Sequence, residues 1–207
     1  MKLDQFYHVV KAAAAIANVE YINVFGSNAI LPWLKDELGI EDMKLFLEPS
    51  EVSRELDLSV GDGINDDLNT LIDGSIGEST YFDTTFNVYA HPNAIEGLFR
   101  APASWSKRVK IIEVPPSGSV KVIVPHYLDL MVSKLVAGRS KDIAFAVQVS
   151  THFKVGKQEL SNMIEEYLAQ YQEDAEKLEQ HLSVYRRKLE GQGAPRSRRS
   201  SSTPNSP

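Results

Sequence analysis

Residues 53 to 60 read "SRELDLSV". Leu56, Leu58 and Val60 alternate with polar residues, the period-two pattern of a half-buried strand. Successive strand side chains leave opposite faces, so Glu55 and Asp57 leave the same face while the apolar residues enter a core. Two like charges so placed repel each other, and a divalent cation between them would cancel that repulsion.

The residues ahead of this strand narrow the choice. "YINVF" (21–25) is a compact apolar strand, followed at once by Gly26 and Ser27. "NAILPWLKDEL" (28–38) then carries helical spacing, with Ser27 as N-cap and Gly39 as the stop. Pro32 removes one helical hydrogen bond and should bend or split that helix. The order is therefore strand, Gly-Ser, helix, acid-bearing strand. Small residues before a helix N-terminus leave backbone N–H groups free for phosphate, and Ser27 adds a hydroxyl. Paired carboxylates on a neighbouring strand can hold the metal that bridges phosphate oxygens. Either half alone reads more simply as a turn or as a solvated sheet face; their conjunction points to a nucleoside triphosphate.

Composition removes several alternatives. The chain has no cysteine, which excludes disulfides, thiolate metal sites and cysteine nucleophiles. A net charge of −6 argues against a protein that coats nucleic acid with its whole surface. Near the N-terminus an alanine run is present, but Asp4, Gln5, His8 and Lys11 interrupt any apolar core there, so it does not read as a signal peptide. No apolar run approaches the roughly 20 residues of a membrane span, and a soluble, cytoplasmic protein is expected. The 207 residues, 43% of them apolar, suit one domain with attachments.

Elsewhere, residues 4–17 form an amphipathic helix with Phe6, Val9, Val10, Ala13 and Ile16 inward. "GINDDLNTLIDG" (63–74) reads as helix, and "GESTYFDTTFNVYAHP" (77–92) as a loop leading into a strand. "RVKIIEV" and "SVKVIV", joined by "PPSG", read as a hairpin. Pro125 opens a helix to Ala137, Gly138 breaks it, and "SKDIAFAVQV" forms the next. Lys157 to Glu190 reads as one long helix, with Ile164, Leu168, Tyr171, Ala175, Leu178, Leu182, Tyr185 and Leu189 at a 3.5-residue repeat. That seam serves either a homodimer contact through residues 160–189 or a helix laid across its own domain. The tail, 191–207, carries three arginines and no acids, hence +3 against the total of −6, and should be disordered. His91 in "VYAHP" and Trp105 read as structural residues rather than as catalytic groups, and no histidines are spaced as a close metal-ligand pair.

The Gly26-Ser27 turn followed by Glu55-x-Asp57 resembles the signature of the nucleotidyltransferase superfamily. "FGSNAIL", "SRELDL", "DGSIGESTYFDTTFNVYAH" with "APASWSKRVKII", and "PHYLDLMVSKLVAGRSKD" are similar to a bacterial nucleotidyltransferase-like group, over residues 20 to 150. The last stretch also resembles a segment of the nucleotidyltransferase toxins of toxin–antitoxin pairs. The resemblance implies that Gly26 and Ser27 hold phosphate and that Glu55 and Asp57 bind Mg2+ or Mn2+. Lys134 and Arg139 would face the triphosphate, and Asp142 would be the acid that follows them. It further implies a third carboxylate from a neighbouring strand. Glu113, on one face with Val109 and Ile111, is the candidate, or else an exposed strand end. The 27 residues between Ser27 and Glu55 exceed the spacing of the minimal motif, so a segment is inserted there.

The expected fold is α/β (α+β): a small mixed sheet of four to six strands with packed helices over residues 1–152, then a helical extension at 157–190 and the tail. The expected function is metal-dependent transfer of a nucleoside monophosphate from an NTP to an acceptor hydroxyl on RNA (such as tRNA), protein or a small molecule. A toxin role with a cognate antitoxin partner is implied by the resemblance alone. The alternative is a non-catalytic partner-binding module acting through the C-terminal helix.

Overall fold

The computed structural model describes residues 1–61, 65–93 and 99–193. Among them lie eight helices and a five-stranded mixed sheet, an α+β architecture. Helix α1 (Leu3–Ala17) buries Phe6, Val9, Val10 and Ala13 and ends at Asn18 in the left-handed region, φ 53°. Strand β1 (Tyr21–Val24) follows. The helix expected over 28–38 is split into a 3-10 turn, Ser27–Ile30, and α2 (Leu31–Leu38). Pro32 sits in the first turn of α2, where its missing N–H has no carbonyl to meet. The residue capping the 3-10 turn is Gly26, not Ser27, and no side chain caps it.

β2 (Glu55–Ser59) has Leu56 and Leu58 in the core and Glu55 and Asp57 half-buried on the other face, as the alternation predicts. α3 (Asp66–Ile76) begins where the Asn65 side chain accepts from the Leu68 N–H at 3.1 Å; residues 63 and 64 of the predicted helix lie outside the described residues. The loop expected after residue 77 instead contains α4 (Tyr81–Phe86) ahead of β3 (Tyr89–Pro92). Its cause is local: the Thr80 hydroxyl accepts from the Asp83 N–H at 3.3 Å, an N-cap that the polar composition of this stretch conceals.

β4 (Lys110–Glu113) and β5 (Lys121–Val124) form the predicted antiparallel hairpin. α5 (Tyr127–Ala137) and α6 (Ser140–His152) are separated at Gly138, φ 71°. The cap of α5 is His126 rather than Pro125, its ring nitrogen accepting from the Leu128 N–H. The strand order is β3-β2-β1-β5-β4. β1 runs parallel to β5 and antiparallel to β2, and β2 runs parallel to β3 with Asp57 opposite His91.

The single helix expected from Lys157 to Glu190 is two helices. α7 (Lys157–Gln170) stops at Tyr171, whose φ −127° and ψ 62° leave the helical region, and a 3-10 turn (Gln172–Asp174) leads into α8 (Ala175–Gly193). Side chains hold the break. The Tyr167 hydroxyl donates to Asp174, Arg100 pairs with Asp174 at 3.2 Å, and the Arg100 guanidinium lies 4.4 Å from the Tyr171 ring centroid. Seven of the eight heptad-like residues are used within the chain, and Ala175 is exposed. Leu178, Leu182 and Tyr185 are buried in the same hydrophobic cluster as α1 and β1, with Ile164, Leu168, Tyr171 and Leu189 packed against it. The basic tail lies outside the described residues from 194 onward. No helix among the described residues is long and apolar enough to cross a membrane.

Candidate active site

β1 and β2 pair antiparallel, so the end of β1 that carries the Gly26 turn lies beside the start of β2 that carries the acids. The Phe25 N–H donates to the Asp57 carbonyl at 2.9 Å and fixes that alignment. Gly26 has φ 70°, a conformation that disfavours side chains. A Cβ there would also fall 1.9 Å from Asp57 Oδ2. Glycine is therefore required twice, by backbone angle and by the carboxylate pressed against it. Asn28, buried in the same turn, donates to the carbonyls of Glu55 (2.7 Å) and Ser53 (3.3 Å), tying the turn to the acid strand.

A cavity of about 270 Å³ opens over this junction, lined by Gly26, Ser27, Glu55 and Asp57 on one side and Lys134, Arg139 and Lys141 on the other. Six of the seven residues assigned by resemblance thus line one cleft, though they come from three separate parts of the chain. The seventh, Asp142, is only 1% exposed and acts on the cations behind the wall. It accepts from Arg139 Nε at 2.6 Å and lies 3.4 Å from Lys134 Nζ. Burial alone would raise the Asp142 carboxyl, but the Arg139 hydrogen bond and the Lys134 charge outweigh it and hold the group below its ordinary range.

The acid side is electrostatically unlike this. Burial, and then repulsion from Glu55, push the Asp57 carboxyl up, and Lys134, His91 and Lys141 only partly offset them. Glu55 accepts from the Tyr89 hydroxyl at 3.4 Å. Two carboxylates on one face, the charge of Glu55 raising Asp57, fit a small divalent cation. Among the described residues, no group of three or more histidine or acidic side chains is arranged to hold a metal. Mg2+ is ordinarily held by one or two carboxylates, with substrate phosphates and water completing its octahedron, so the pair suffices where a triphosphate supplies the rest.

Glu113 is not brought to the Glu55–Asp57 pair. It lies on β4, the edge strand separated from β2 by β5 and β1. It faces Lys121, which pairs with Tyr21 at the start of β1, whereas the Gly26 turn follows the other end of that strand. Its carboxylate folds over the Gly118 turn of the hairpin. The strand neighbouring Asp57 contributes His91 instead, which lines the cavity. In the sequence His91 reads as a structural residue after a strand, and nothing there shows that β3 pairs with β2 in this register. The inserted segment before β2 was equally unreadable, and it supplies Leu47, Glu51 and Ser53 to the cavity wall.

No protein-family model matches the chain, and neither do the curated proteins or the solved structures with which it was compared.

Proposed function

We propose that the chain is a metal-dependent nucleotidyltransferase that moves a nucleoside monophosphate from an NTP to an acceptor hydroxyl. One observation carries this reading: a Gly-Ser turn, two same-face carboxylates and three cationic side chains share one cavity. The resemblance of "FGSNAIL", "SRELDL" and "SKLVAGRSKD" to nucleotidyltransferase-like proteins supports it.

In this reading the Gly26–Ser27 turn offers its N–H groups and hydroxyl to the phosphates. Glu55 and Asp57 hold Mg2+ or Mn2+, which when bound neutralises phosphate charge and polarises the α-phosphorus. The acceptor oxygen forms a bond to that phosphorus as the bond to the bridging oxygen of pyrophosphate breaks. Lys134, Arg139 and Lys141 stabilise the charge that gathers on the departing pyrophosphate. His91, opposite Asp57 on the neighbouring strand, would take the proton the acceptor hydroxyl gives up. Glu51 lines the same cavity but, among the described residues, no third acid is arranged with the pair to hold a metal. That favours one second reading: a nucleotide-binding module without transfer, acting on a protein partner.

The test is thermal melting with each of the four ribonucleoside triphosphates, with and without Mg2+, in the wild type and in Asp57→Asn. A ligand at 100 times its dissociation constant adds about 2.7 kcal/mol to the folded state. A Mg2+-dependent rise in Tm with one triphosphate, lost in Asp57→Asn, is expected; no rise with any of them sinks the proposal. Incorporation of an α-phosphate label into extract macromolecules, sorted by nuclease and protease digestion, then names the acceptor class. Binding without incorporation favours the module.

A further inference from the structure

The cationic wall of the cavity hangs on one turn. Lys134 leaves the last turn of α5, Gly138 reverses the chain, and Arg139 opens α6. The Arg139 side chain is 62% exposed, so packing does not fix it. Its place depends on Asp142 and on the backbone of the turn.

That turn is walled from outside by α8. The imidazole of His181 lies where a Gly138 side chain would be, with its Cε1 1.9 Å from an ideal Cβ position. His181 Nδ1 is 2.8 Å from the Leu135 carbonyl oxygen and, as an N–H, donates to it. The final carbonyls of a helix lack partners within it. In α5 the Lys134 carbonyl is taken by the Gly138 N–H at 2.9 Å, and the Leu135 carbonyl by His181. One turn further along the same face of α8, the Tyr185 hydroxyl donates to Ser150 Oγ of α6 at 2.7 Å. α8 therefore grips both helices that flank the turn, with Leu178 and Leu182 buried alongside these contacts.

We propose that His181 is a positioning residue for the triphosphate site. Through Gly138 and Leu135 it sets where Lys134 and Arg139 stand, and so joins the C-terminal helix to the cavity without touching the ligand. This rests on the triphosphate reading above and adds a residue that no motif in the cavity contains.

The experiment is calorimetric titration of the full-length chain with inorganic tripolyphosphate and Mg2+, a probe that reports the phosphate contacts independently of any base. Arg139→Ala, the control for the reading itself, weakens binding tenfold or more. His181→Phe fills the space but cannot donate to Leu135, and weakens binding about tenfold. His181→Gln restores a donor and binds within about threefold of the wild type. A role in stability alone would lower the Tm of the Phe variant yet leave the affinity of its folded form unchanged, and affinity within threefold of the wild type overturns the proposal. If the Phe variant does not fold, His181→Ala is read against the same limits. If the wild type does not bind tripolyphosphate, or Arg139→Ala binds equally well, the triphosphate reading fails and this inference falls with it. Loss in Arg139→Ala with none at His181 refutes this inference alone.

Discussion

Two of the charge clusters among the described residues are built on opposite plans. In the first, Asp129 on α5 is fully buried and takes a fork from Arg108, with bonds of 3.0 Å from Nε and 2.6 Å from Nη2. Arg108 also reaches Glu166 on α7 at 3.4 Å, and Glu166 in turn accepts from the Ser104 N–H at 2.7 Å and hydroxyl at 2.5 Å. Opposite charges alternate through this network, and the Asp129 bond holds the Arg108 guanidinium above its ordinary range. Complete burial raises the Asp129 carboxyl against the pull of the same bond. The second cluster, Glu55 with Asp57, sets like charge beside like charge on a strand face that opens into a cavity. Satisfied charge of the first kind holds elements together. Unsatisfied charge of the second kind is the form that a binding site takes before its ligand arrives.

The largest expected effect breaks the first cluster. Arg108→Ala leaves Asp129 buried without its partner, and such losses cost about 3–5 kcal/mol. Urea denaturation should show a midpoint far below the wild type, while Mg2+-triphosphate binding by the folded fraction is retained. A variant that melts normally would show that Asp129 is not held charged by Arg108.

Smaller, and of a different origin, is an effect of acid. His126 caps α5 and lies under Trp33 and Tyr127, with ring centroids 4.7 and 4.0 Å away. Burial first, then the charges of Arg108 and Lys110, lower its pKa from 6.5 to about 4. The folded chain therefore binds this proton less readily than the unfolded chain. Stability from the neutral ring is complete above about pH 6.5 and is lost as pH falls from there towards 4. His126→Asn, which keeps a capping acceptor, should flatten the slope of Tm against pH across that window. An unchanged slope would place the acid sensitivity elsewhere.

What the sequence disclosed follows the range of the interactions involved. The acid strand was readable because alternation is local: Leu56 and Leu58 go inward and Glu55 and Asp57 share a face. The hairpin and the Gly138 break are equally local signals. The misread elements were decided at longer range. The stop at Tyr171 depends on Arg100, some seventy positions earlier in the chain, and a heptad repeat alone gives no sign of it. Glu113 and His91 exchanged standing for the same reason. Each sits on a strand near the right chemistry in sequence, but the order β3-β2-β1-β5-β4 brings only His91 to Asp57. Lys134 and Arg139 could be assigned to the acids by resemblance, whereas their dependence on His181 required the packing of α8 to be known.

The smallest effect sharpens the comparison most, because the two clusters should answer the same substitution with opposite signs. Burial raises the Asp129 carboxyl as it does Asp57, but at Asp129 two Arg108 bonds oppose it. Asp129→Asn lowers stability because it leaves the Arg108 guanidinium without its counter-charge and breaks the fork. Asp57→Asn should raise the Tm of the ligand-free chain, because it removes repulsion from Glu55 and the burial of a charge. Charge pairs on a sheet face are worth roughly 0.2–1 kcal/mol each. For Asp57 the sign follows from the direction of the shift, because burial and Glu55 outweigh the neighbouring cations. The folded-state pKa of Asp57 lies above the ordinary 3.8, so the folded chain binds that proton more readily than the unfolded chain. No penalty exists well below pH 3.8; it grows as pH rises from there and is complete above the folded-state value. The gain in Asp57→Asn should therefore appear at pH 7 and vanish in acid. Mg2+ with the triphosphate should reverse the order at pH 7 by stabilising the wild type alone. If Asp57→Asn melts below the wild type at pH 7 without ligand, the pair is a structural element like the Arg108 network, and the cavity is not waiting for a cation.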